Sequence, residues 1–182
     1  MRMGTSAGIA SYVNPGDLTI FDSACRFEGT TKCYVPPEYP AVAHHEIVQA
    51  AIRTAERMGI RYHVGTSRCI DGLYTNRPDA NCSFGGYHPR AWDSFLSDLK
   101  QMNVIAGEME SAAVMVLSRL FGLRGGAICM CVTSLTHDFD RGGQLDINKI
   151  EYGGDRIAQL NRIALETMYT LYLSDQKKAA ST

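Results

Sequence analysis

Two glutamates flank a methionine in Gly107-Glu108-Met109-Glu110-Ser111, and this run carries the strongest chemical signal in the chain. An ionised carboxylate only accepts hydrogen bonds, and its two oxygens match a pair of neighbouring hydroxyls. A cis-diol such as that of a ribose is the natural partner. Met109 between the acids offers a soft apolar face on which a sugar ring can rest. A structural role competes with this one, since acids at the start of a helix sit against the positive end of its dipole. The flanking residues leave room for both. Val104-Ile105-Ala106 is a short apolar strand, and Ala112 to Phe121 has a helical pattern that Gly122 stops. The carboxylates thus stand at a strand–helix junction, the mouth of an α/β sheet, where ligands tend to bind.

A second run, Arg2-Met3-Gly4-Thr5-Ser6-Ala7-Gly8, opens the chain. The order Arg-x-Gly-Thr-Ser, then Asn14-Pro15-Gly16-Asp17, then Glu108-Met109-Glu110-Ser111-Ala112 resembles the nucleoside phosphorylase superfamily, and within it the uridine phosphorylase branch. The likeness extends from Arg2 to about Val132, with Pro40-Ala41-Val42-Ala43 and His63-Val64-Gly65 as further landmarks.

The resemblance implies a three-layer α/β/α fold around a mixed sheet. It also implies phosphorolysis of a nucleoside, uridine by the branch, to free base and ribose 1-phosphate. Phosphate would be the co-substrate, with no metal or organic cofactor, and the enzyme would be a homodimer or larger homo-oligomer. Residue by residue, Arg2 and Thr5 match the phosphate positions, and Ser6 a place close to the sugar. Glu110 matches the grip on the ribose hydroxyls, Met109 the residue under the sugar, and Glu108 its supporting acid. In the base loop Leu73 replaces the family's stacking aromatic, and Tyr74 could stand in for it. Arg77 falls near the family's glutamine and Asp79 near its arginine, so Arg77 is the candidate donor to a pyrimidine carbonyl. His137 and Asp138 follow the last strand and could act as donor and orienting partner, because a histidine titrating near neutrality suits general acid work. Arg68 and Asp71 lie where the family chain passes beneath the base, each equally suited to a scaffold salt bridge. His44 and His45, near a helix start, read as capping or solvated residues.

In that family the Arg-x-Gly-Thr segment lies well inside the chain, behind the first strands and a glycine-rich phosphate loop. Here it begins at residue 2. This leads us to expect a truncated family domain, with Arg2 poorly held and activity absent or very weak. Two alternatives follow. A nucleosidase of the same superfamily would use water in place of phosphate, and a non-catalytic remnant would bind a full-length partner.

The 182 residues suit one domain, 1–174, with a polar tail over 175–182 that is expected to fray. A net charge of −1 supplies no basic field for nucleic acid or an anionic membrane surface. No apolar run is long enough to cross a bilayer. The six cysteines contain no Cys-x-x-Cys pair, and Cys129 and Cys131, two apart in an apolar strand, should face one side. They read as reduced thiols in a cytoplasmic protein.

The elements that must position these residues alternate between strand and helix, which favours an α/β layered domain. A turn at Asn14-Pro15-Gly16-Asp17 leads to a strand over Leu18–Phe21. A proline-rich loop precedes a helix over about Ala41–Met58, ended by Gly59, and a strand near Tyr62–Thr66. Residues 71–90 read as a long functional loop. Trp92–Met102 looks helical, Gly126–Thr133 reads as a buried strand, and Arg156–Leu173 as a last amphipathic helix.

Overall fold

A computed structural model describes residues 1–73, 89–92, 94–135 and 154–180. Among the described residues six strands and four α-helices follow one another: β1 (Arg2–Gly8), β2 (Leu18–Phe27), β3 (Ala41–Val42), α1 (His45–Arg57), β4 (Tyr62–Ile70), α2 (Phe95–Gln101), β5 (Ala106–Glu108), α3 (Ser111–Leu120), β6 (Ala127–Ser134) and α4 (Gly154–Ala180). The fold is α/β with a mixed sheet, in the order β3-β2-β4-β5-β1-β6.

The sheet closes on itself because β2 also pairs with β6. Leu18–Phe21 run antiparallel to Ala127–Met130, whereas Ser23 and Ala24 pair with Val42 and Ala41 of β3. The change of neighbour falls at Asp22, the bulged residue in the register with β4. A bulge bends its strand, and here it lets one edge of β2 serve two partners.

Alternation along β2 and β6 divides the core into two layers. Leu18, Ile20, Ile128 and Met130 pack against Ala51 and Ala55 of α1 and against Leu160 and Ile163 of α4. Phe21, Ala127, Cys129 and Cys131 face the other way, onto Ala112, Met115 and Val116 of α3. Helices therefore cover both faces. The two cysteines share a side, as their spacing requires.

Several boundaries differ from the sequence reading. Ala41 and Val42 form a strand, and the helix begins only at His45, where His44 caps it: Nδ1 accepts the Glu46 N–H at 3.3 Å. Strands β2 and β4 run past Phe21 and Thr66 because their parallel ladder continues to Phe27 and Ile70. Strand β5 starts two residues late, since the Val104 N–H still closes the exit of α2 on the Leu99 carbonyl at 3.0 Å. The segment expected to fray is helical to Ala180. Asp175 accepts from Arg124 at 2.6 and 2.9 Å, and Lys178 bonds Glu46 of α1. The glycine stops hold: Gly59 and Gly122 lie at φ +64° and +67°.

Candidate active site

Strand β1 is central, parallel to β6 on one side and antiparallel to β5 on the other. Because Ala7 pairs with Gly107, the chain leaving β5 runs back along β1 towards Arg2. This brings the two sequence signals, more than a hundred residues apart, into one place.

Arg2 is not frayed. Its N–H donates to the Gly126 carbonyl at 2.9 Å, and its strand pairs with β6 from residue 2 onwards. The guanidinium donates through Nε to Glu110 Oε2 at 2.8 Å, and Nη2 bonds the same oxygen. Nε lies 3.5 Å from Glu108 Oε2, and Nη1 meets Cys129 Sγ. Burial works against the Arg2 charge, but Cys129, once ionised at the high pH where Arg2 titrates, together with Glu108 and Glu110 outweighs it and holds its pKa above the ordinary value. Burial pushes the Cys129 thiol up to about 12, so it meets the cation as a neutral thiol at physiological pH.

The two glutamates divide the roles that the sequence left open. Glu108 is buried and caps α3: Oε2 accepts the N–H groups of Glu110 at 2.8 Å and Ser111 at 2.7 Å. Its Oε1 accepts from the hydroxyls of Ser111 and, at 3.3 Å, Ser67. The two hydroxyls lie 2.8 Å apart. Every oxygen of this carboxylate is engaged, and the turn carrying Met109 and Glu110 is fixed by it. Glu110 makes no cap bond with its side chain, which is 59% exposed. It is the carboxylate facing outwards.

The other sequence candidates fall in different places. Thr5 is half-buried on β1, and Met109 is half-buried between the glutamates. Ser6 is buried, on the face of β1 that Arg2 also uses, and its hydroxyl pairs with Thr19 Oγ1 at 3.0 Å, itself bonded to the Cys129 carbonyl at 3.1 Å. Strand alternation puts it on the α3 side of β1. Asp71 accepts the Gly29 N–H at 2.7 Å, a scaffold contact. Tyr74, Arg77, Asp79, His137 and Asp138 lie outside the described residues.

Ser67, Ser111 and Cys129 escaped the sequence reading as participants. Ser111 had a local signal, since it follows the acids at a helix start. Ser67 and Cys129 had none, because they arrive through the β4–β5 and β1–β6 pairings.

Around Arg2 and Glu110 the arrangement sets a fixed cation against an accepting carboxylate, at the carboxyl end of β5. The Phosphorylase superfamily profile matches residues 1–168. The chain belongs to the phosphorylase superfamily. A uridine phosphorylase of Thermococcus kodakarensis is 38% identical over 147 residues, covering 79% of this chain and 52% of that protein. The uridine phosphorylase of Haemophilus influenzae is 31% identical over 75% of this chain and 54% of its own length. A guanosine phosphorylase of Halorubrum lacusprofundi is 29% identical, over 94% of this chain and 65% of that protein. The phosphorylase domain here thus spans about half to two thirds of the length of these relatives. No helix among the described residues is long and apolar enough to cross a membrane, and no described group of side chains could hold a metal ion.

Proposed function

We propose that this protein cleaves the N-glycosidic bond of a nucleoside with phosphate, giving free base and ribose 1-phosphate, with uridine as substrate. The observation that carries the reading is the exposed Glu110 carboxylate held beside Arg2 by a turn that Glu108 caps. Two uridine phosphorylases among the relatives support the choice of base.

On this reading Glu110 accepts hydrogen bonds from the ribose hydroxyls, and Met109 lies under the ring. Arg2 has five N–H donors, so it can keep one bond to Glu110 and give others to phosphate. Thr5 adds its hydroxyl. Bond cleavage builds positive charge on the sugar, and phosphate and Glu110 then flank it with negative charge that is already in position. The reaction takes phosphate as co-substrate and calls for no metal or organic cofactor. His137 and Asp138 are proposed to assist the leaving base, and Tyr74 and Arg77 to hold it.

A purine base is the second reading, favoured by the guanosine phosphorylase that aligns with 94% of the chain. We further place the protein in the cytoplasm, in keeping with free thiols at all five described cysteines. A homo-oligomer belongs to the same proposal, and light scattering tests it. The deciding experiment incubates the purified chain with uridine or guanosine, with and without phosphate, and analyses the sugar product. Ribose 1-phosphate from uridine is the expected result. Free ribose independent of phosphate would make the protein a nucleosidase, and no product from either nucleoside would remove the activity.

A further inference from the structure

Helix α4 is apolar on two sides. Leu160, Ile163 and Ala164 face inwards, onto the layer shared with α1 and the sheet, and Leu171 packs with Ile47 and Ala50. Turned away from them, Leu165, Met168, Tyr169, Tyr172 and Leu173 are 72%, 48%, 57%, 56% and 42% exposed. Steps of three and four residues line these five up as one stripe, about two and a half turns long. The polar residues beside it face α1: Glu166 accepts from Arg57 at 2.9 Å, and Thr170 Oγ1 donates to the Glu166 carbonyl at 2.8 Å. Tyr169 and Tyr172 stack, with ring centroids 6.4 Å apart and planes 21° from parallel, so the middle of the stripe is an aromatic plate. A helix with apolar residues all round is normally covered all round.

The residues of the stripe select what can cover it. None of the five carries a charge near neutral pH, so neither a basic nor an acidic segment finds a counter-charge among them. Their order is symmetric. Leu165 and Leu173 stand four residues to either side of Tyr169, and Arg162 and Gln176 stand seven. Two copies of α4 laid antiparallel about a two-fold axis at Tyr169 bring each leucine to its counterpart and Arg162 to a glutamine, with no like charges opposed. The five residues leave roughly 500–600 Å² open on one copy, the upper end of what a monomer exposes in one patch. Doubled, that is about 1,000–1,200 Å², where specific interfaces begin.

We propose that the exposed face of α4 is the contact of a two-fold homodimer, in which the helix packs antiparallel against α4 of a second copy. Tyr169 meets its own symmetry mate at the axis, and Leu165 packs on Leu173 of the partner subunit. Met168 and Tyr172 fill the space beside them. This gives the homo-oligomer proposed above a particular surface. It rests on the helix face alone and is independent of the nucleoside reading.

The test is sedimentation equilibrium of the whole chain at micromolar concentration, where wild type should be a dimer or a multiple of one. Tyr169→Glu sets two like charges on the axis and should raise the dissociation constant at least ~100-fold. Circular dichroism should show its helix content unchanged, because the position is exposed. Tyr169→Cys tests the register without adding charge. A short bismaleimide should link this variant to itself at 169, whereas Leu165→Cys, which faces Leu173, should not link to itself. Peptide mapping separates these links from any at the exposed Cys33. A monomeric wild type overturns the interface and leaves the stripe to another segment or another protein. Association undiminished in Tyr169→Glu overturns α4 as the contact while the homo-oligomer stands. Leu165→Cys linking to itself as fast as Tyr169→Cys overturns the antiparallel register. The product assay reads the reaction separately, so phosphorolysis and this interface can fail independently.

Discussion

Glu108 and Glu110 carry the same side chain two positions apart, in opposite surroundings. The first accepts four hydrogen bonds inside the protein, and the second reaches out to Arg2. Different consequences follow when each is changed. Glu110→Ala should leave the fold intact and slow nucleoside turnover roughly 10- to 150-fold, the value of a charged hydrogen bond of about 1.5–3 kcal/mol in the transition state. Unaltered kcat/KM would remove Glu110 from the sugar site. Glu108 is a stability position as well. In Glu108→Gln the amide oxygen can still accept both N–H groups, and the amide nitrogen can donate to the two serine hydroxyls, which also accept. That variant should lose under about 1 kcal/mol. Glu108→Ala abandons buried donors and should lose about 2–3 kcal/mol, seen as a fall in Tm of roughly 5–10 °C. Equal melting of the two variants would show that the carboxylate's bonds do not hold the turn. The sequence made these acids visible as a pair. It could not divide their roles, because the division depends on which one the β4 strand and the start of α3 surround.

At the scale of elements, α1 and α4 are tied at one end by a charge cluster. Glu46 in the first turn of α1 bonds Lys178 and, at 2.7 Å, Arg124, and Arg124 also holds Asp175. Hydrogen bonds from Lys178 and Arg124 lower the Glu46 pKa from 4.5 to about 2. A carboxyl with a depressed folded-state pKa stabilises fully above its unfolded value and loses that effect as pH falls through the folded one. The stabilisation should therefore be complete above about pH 4.5, partial at pH 3, and gone near pH 2. Glu46→Gln should melt below wild type at pH 7, and the gap should narrow by pH 3. A gap independent of pH would mean the cluster acts through packing. Exposure and salt keep the effect small, so added salt should narrow the gap further. None of this was legible in the polar sequence of 175–180. Taken alone the segment has no reason to stay helical, and its partners lie on other elements. Helix α3 is the contrary case: apolar spacing and Gly122 define it locally, and its observed bounds, Ser111–Leu120, lie within one residue of the sequence reading.

The molecule as a whole is organised by a closure that no local pattern announces. Strand β2 meets β6 across more than a hundred residues, and β1, short and interrupted by Gly4, has no strand signature of its own. Alternation did reveal that Cys129 and Cys131 share a face, but not that the face is the sealed one between β1, β2 and α3. Both are fully buried there, with thiols pushed up by burial to about 12 and about 11. Cys69 on β4 is buried too, at about 12, whereas Cys33 lies exposed at the end of the short turn Thr31–Cys33. Alkylation needs the thiolate and access, so three of these thiols are protected twice over. Cys33 should react with iodoacetamide within the time of a free thiol. Cys69, Cys129 and Cys131 should react only when the ring of strands opens, with one common rate that rises with urea as global unfolding does. The β1–β6 ladder holds both Cys129 and Cys131, and β2 links it to β4, so no partial opening frees one of the three and leaves the others. Peptide mapping by mass spectrometry resolves each site. If Cys69 labelled well ahead of Cys129 under native conditions, β4 would be separating from the sheet independently. The closed sheet would then not be one cooperative unit.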